Sequence, residues 1–143
     1  MENMNNIRIE IRNMNNLENM ENSKIELASF FFTLRNKLYY YHLTTEKYPR
    51  HVSVASLVDS MDKLIDSFLE VLYGKYLRPD NTEFTIKVNK MSDADALFYL
   101  NDCIKFLTDT LPSLIKPTDS DLLNIRDEMT GLLNRNKYLF VLQ

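Results

Sequence analysis

The sequence predicts an all-α fold: a four-helix bundle of two antiparallel hairpins joined by one long crossover, preceded by an Asn-rich arm. Three observations predict it. Only two glycines and four prolines interrupt 143 residues, which favours long regular elements over tight turns. Apolar residues recur at spacings of three and four in four separate segments. The links between those segments are short, long and short in turn.

Residues 1–22, MENMNNIRIEIRNMNNLENMEN, contain eight Asn and four Met. So little apolar surface cannot offset the entropy of ordering the chain, and the segment reads as a flexible arm ahead of a bundle over 23–143. Within it IRIEIR alternates like a strand that could add to a partner. The first helix opens at Ser23 with Glu26 in the capping-box position and carries Leu27, Phe31, Leu34, Leu38 and Tyr41. The second follows Pro49, carries Val54, Val58, Met61, Ile65, Phe68 and Leu72, and stops at Gly74. The third is boxed by Ser92 and Asp95, carries Leu97, Leu100, Ile104, Leu107 and Leu111, and is closed by Pro112. The fourth starts near Thr118 and carries Leu122, Ile125, Met129, Leu132 and Leu139.

Short links make the first and second helices antiparallel, and likewise the third and fourth. The link between the second and third, KYLRPDNTEFTIKVNKM, is long enough to return along the whole bundle. Two hairpins with one long crossover is the ferritin-like arrangement. EFTIKV inside the link reads as a strand-like strip.

A net charge of −3 and a pI near 5.4 give no electrostatic reason to expect nucleic-acid binding. Cys103, the single cysteine, cannot form an internal disulfide, which fits a reducing compartment. No apolar run is long enough for a membrane span, and the first residues lack the apolar core of a signal peptide. The expectation is a cytoplasmic protein without membrane contact.

Both histidines lie in YYYHLTTEKYPRH, at 42 and 51, on either side of the first corner. They are either incidental turn residues or two ligands gathered by that corner. Asp59, Asp62, Asp66 and Glu70 form one stripe on the second helix, within about 80° of one another. The plain reading of that stripe is a solvated face. It lies away from the helix's own apolar seam, so any site it forms sits against another chain. His51 is offset from Asp66 by about 60° and some four turns, too far to share a metal within one helix. Two antiparallel second helices related by a two-fold axis would bring them together. Two imidazoles and two carboxylates suit iron or zinc.

The spacing H-x14-D-x3-E at His51, Asp66 and Glu70, with His42 ending the preceding helix, resembles the mini-ferritins that protect DNA during starvation (Dps). The resemblance spans about residues 24–142 and is densest over 39–76. It implies a homo-oligomer with two-fold dimer interfaces and an intersubunit ferroxidase centre. His42 and His51 of one subunit would face Asp66 and Glu70 of its mate, with iron as the metal. YYYHLTTEKYPRH and LIDSFLEVLYGKY also look like small ferritin-like proteins of tailed phages and large DNA viruses. That likeness implies a second role, a non-catalytic bundle serving as a structural or interaction component, with a virion or other protein partner met through the arm. The chain departs from the Dps pattern in three places. The loop between the histidines is shorter, Leu43 stands where Dps proteins have tryptophan, and the arm is acidic rather than basic.

The remaining features read mainly as structure. The aromatic runs at 30–32 and 39–41 circle their helix and predict packing in the core and against another subunit, with Tyr41 the candidate redox neighbour of His42. Glu26 and Glu128 could mimic the carboxylates of larger ferritins, although the E-x-x-H motif of those sites is missing. Cys103 reads as a small core residue.

Overall fold

The structure, a computed structural model, describes residues 2–81 and 83–142, with side chains outside 2 and 11–19. Among these residues the chain is all-helical: α1 (Glu2–Thr44), α2 (Tyr48–Tyr76), α3 (Asp93–Lys105), a π-helical turn (Phe106–Thr110), α4 (Leu111–Leu114) and α5 (Ser120–Val141). α2 packs against both α1 and α5, and α3 packs against α5 and touches α1.

Side-chain pairs give the directions. Arg35 meets Asp62 and Tyr41 meets Arg50, so α1 and α2 run antiparallel. Asn136 meets Ser53 and Lys75 meets Asp121, so α2 and α5 are antiparallel. Phe30 stacks on Phe106 at 3.8 Å, and Lys37 lies 4.1 Å over the Tyr99 ring. The segment from α3 to α4 therefore runs against α1 and parallel to α2.

The seams expected for α1 and α2 are buried throughout, from Leu27 to Tyr41 and from Val54 to Leu72. On α5 the stripe is turned by one position toward its C-terminal end. Leu133 and Phe140 are buried, while Leu132 only packs at the margin. Neighbouring apolar residues at 132–133 and 139–140 left that choice to packing.

Helix ends depart from expectation in three places. α1 is continuous through Ser23, and the described part of the Asn-rich segment is helical. Neither proline nor glycine occurs before Pro49, so nothing in the sequence stops the helix there. Asn3 to Glu10 are exposed, including Ile7 and Ile9 of the strand-like motif. α2 passes Gly74 because Lys75 and Tyr76 are held from across the bundle. Lys75 Nζ lies 2.7 Å from Asp119 and 2.7 Å from Asp121, and Tyr76 Oη donates to Asp119 at 2.6 Å. Pro112 does not end its helix either. The π turn before it shifts the bonding pattern by one residue, with Leu111 N–H donating to Phe106 O, and this accommodates a residue that has no N–H and crowds the preceding turn. The capping box of Ser92 and Asp95 is formed, with bonds of 3.0 and 3.3 Å.

The crossover from Leu77 to Ser92 has no helix or strand among its described residues. It leaves α2 through Leu77 at φ 69°, and Glu21 of α1 accepts the Asp80 and Asn81 N–H groups at 2.8 and 3.1 Å.

Candidate functional site

Residues 45–47 turn the chain from α1 into α2, and a polar cluster seals this corner to the start of α3. The Tyr41 hydroxyl donates to Asp93 Oδ1, and Thr45 Oγ1 donates to the same oxygen at 3.1 Å. Arg50, only 7% exposed, donates from Nη1 to Tyr41 Oη and to the Asp93 carbonyl, each at 3.1 Å. Its guanidinium lies 3.8 Å over the Phe140 ring. The hydrogen bond from Tyr41 holds the Asp93 carboxyl below its usual range, while burial and then Asp93 push the Tyr41 phenol up. Pro49 fits the first turn of α2, where an N–H has no helical partner.

On this hydrogen-bonded corner the two histidines face one another. His42 Nδ1 lies 2.8 Å from the His51 carbonyl and His51 Nδ1 lies 2.8 Å from the His42 carbonyl. The rings stack at 4.1 Å with 17° between their planes. A carbonyl can only accept, so each Nδ1 carries a proton and donates. In the neutral rings both Nε2 atoms then hold their lone pairs, the tautomer in which an imidazole with a backbone-anchored Nδ1 binds a metal. Tyr39 (5.9 Å from His42) and Tyr48 (6.2 Å from His51) extend the pair into a row of rings. Because the lone pairs lie in nearly parallel ring planes, one ion held by both rings at ~2.1 Å requires one ring to turn.

The acids lie further along the same flank. Asp62 is paired with Arg35 at 3.1 Å, and that guanidinium also lies 4.8 Å over the Tyr39 ring. Asp59, Asp66 and Glu70 are exposed. Fifteen residues of helix separate His51 from Asp66, a rise of ~22 Å. The structure thus gathers His42 and His51 and leaves Asp66 and Glu70 about four turns away. Among the described residues no group of three or more His, Cys, Asp or Glu is placed to hold a metal.

The other candidates sit elsewhere. Tyr41 follows the apolar seam into the core, at 1% exposure, and bonds Asp93 rather than His42. Glu128 is exposed; Glu26 borders a cleft with Tyr99, Asp102 and Cys103. Cys103 is 1% exposed, and burial pushes its thiol up to about 12, which leaves it protonated and inert. The residues that sequence reading passed over are Arg50 and Arg35. Arg50 stands four positions before Val54, in phase with the α2 seam, and a charged residue in that phase is the signal that could have marked it.

A family model described as a family of unknown function (DUF5856) matches residues 42–140. The matched range begins at His42 and includes His51, Asp66, Glu70 and the crossover. Comparison with curated proteins and with solved structures gives no match.

Proposed function

The chain belongs to the DUF5856 family of unknown function, and we propose for it the role of a mini-ferritin-like, iron-oxidising bundle whose site is completed by a second copy. The packing order α1–α2–α5–α3, with α2 and α3 parallel across a long crossover, supports a ferritin-like four-helix bundle. The observation that carries the functional reading is the histidine pair. Both Nδ1 atoms donate to carbonyls, which leaves the Nε2 lone pairs for an incoming Fe(II), although one ion held by both rings needs one ring to turn.

In an antiparallel two-fold pair of α2 helices, His51 of one copy lies opposite Asp66 or Glu70 of the other. The carboxylates would neutralise the ion's charge and supply oxygen ligands, and the imidazoles would supply nitrogen. Each Fe(II) gives up one electron, with peroxide or oxygen as the acceptor. Arg35 holds Asp62 and braces Tyr39, which fixes the strip between the two ligand sets.

The test is anaerobic addition of Fe(II) followed by peroxide, with Fe(III) formation read by absorbance. Asp66→Ala combined with Glu70→Ala, and His51→Ala alone, should each slow the oxidation by at least tenfold. Rates equal to wild type in both variants would remove this reading. The near-parallel stacking of the histidines favours a second one, a non-catalytic bundle whose corner is fixed by the pair. On that reading His51→Ala lowers stability, and iron changes nothing.

A further inference from the structure

The crossover has to be stretched. Asp93 is bound to Arg50, so the chain leaving Tyr76 must come back over 26 residues of α2, or ~39 Å, within 17 steps. That requires ~2.3 Å per residue, beyond a helix and within reach only of extended backbone. From Glu83 to Ser92 there is accordingly no turn or bend.

The stretched part is extended backbone without a partner among the described residues. Among the described residues no backbone–backbone hydrogen bond engages Phe84 to Val88. Phe84, itself 41% exposed, lies against Phe32 of α1 at 5.9 Å and Ile86 is half-buried, while Glu83, Thr85 and Lys87 are exposed. Neither Glu83 nor Lys87 has an ion-pair partner among the described residues.

We propose that residues 83–87 pair antiparallel with the same residues of a second copy, forming an intersubunit two-stranded ribbon about a two-fold axis at Thr85. The occupant follows from the charge pattern. In this register Glu83 faces Lys87 of the mate and Lys87 faces its Glu83, so each strand supplies the other's counter-charges. Phe84 lies opposite Ile86, an aromatic against a β-branched side chain, and Thr85 meets Thr85. A shift of the axis by one residue either way loses the match of Glu83 with Lys87. The edge is defined too. The Glu83 carbonyl accepts from the Asn81 side chain, which favours the opposite edge, where Phe84 and Ile86 would exchange the backbone bonds. Thr85 then occupies a non-hydrogen-bonded position, with Cα atoms ~4.5 Å apart.

The ribbon does not rest on the iron reading, yet both call for an axis in the same region. Phe84 is beside Phe32, one turn from the Arg35–Asp62 pair, which puts Thr85 nearly level with Asp62. His51 opposite Glu70 sets the centre of the α2 pair one turn or less from there, at ~3 Å along the helix.

Sedimentation equilibrium of the full chain in EDTA tests the ribbon without metal. Glu83→Lys and Lys87→Glu should each weaken dimerisation about tenfold, since each makes two symmetry-related pairs like-charged. Combining them should restore the wild-type constant to within about threefold. Ile86→Pro should abolish association with unchanged helical circular dichroism, because it removes the N–H that donates across the ribbon while the segment has no internal bond to lose. Thr85→Cys should cross-link two copies on oxidation, the native Cys103 being buried. A wild-type monomer at every concentration, or a dimer indifferent to the charge variants with no cross-link at 85, overturns the pairing. The dimer constant in EDTA reads the ribbon and the Fe(II) oxidation rate of Asp66→Ala with Glu70→Ala reads the metal site, so loss of the one and loss of the other are separate results.

Discussion

At the scale of single residues, Leu77 and Arg50 show where the chain accepts a local cost. Leu77 leaves α2 at φ 69° and ψ 162°, a region that a side chain strains and glycine enters freely, and its own side chain is exposed. Leu77→Gly should therefore raise unfolding stability by about 1 kcal/mol, seen as a higher urea midpoint at unchanged slope. Arg50 is the opposite case, a buried cation whose Nε has no hydrogen-bond partner among the described residues. Its other contacts outweigh that loss, because they join α1, α2, α3 and α5 at one point. Arg50→Ala should cost about 3 kcal/mol by chemical denaturation, through the lost stacking on Phe140 and the abandoned acceptors. The histidine pairing was half legible. Nine residues across a corner suggested proximity, whereas the reciprocal bonds depend on where two carbonyls point, which no side-chain pattern encodes.

At the scale of elements, helix ends were legible only where the signal is local. Ser92 and Asp95 cap α3 because both bonds close within one turn. Gly74 failed as a stop because the deciding contacts come from residues more than forty positions away. Asp119 supplies them, and it titrates low. Burial alone would raise its carboxyl, but hydrogen bonds from Lys75, Tyr76 and the Lys116 N–H pull it below the ordinary value of 3.8. Burial, and then Asp119, push the Tyr76 phenol up to about 12. A carboxyl lowered on folding stabilises fully above its unfolded pKa and loses that contribution as pH falls through the folded value. Stability should thus be flat from pH 7 to about 5 on this account and fall below pH 4. Asp119→Asn should lower stability at pH 7 by about 2 kcal/mol and flatten the acid limb, measured by denaturation at a series of pH values.

At the scale of the whole molecule, two short links and one long one were enough to order the helices, because loop length limits where a chain can reappear. The proposed site was not legible in the same way. His51 and Asp66 lie ~22 Å apart on one helix, and only a second copy would bring such residues together. The π turn before Pro112 has a consequence for how chains of this kind can vary. A helix that gains one residue bulges into such a turn, and the buried positions Cys103, Leu107, Leu111 and Ile115 step by four across it instead of alternating three and four. Deleting one of the outward residues 108–110 would bring the stripe back into ordinary phase. The proline would then stand in a plain α-helix, at a cost of about 3 kcal/mol. The extra residue and the proline are thus tied as a pair: a relative that lacks one should lack the other.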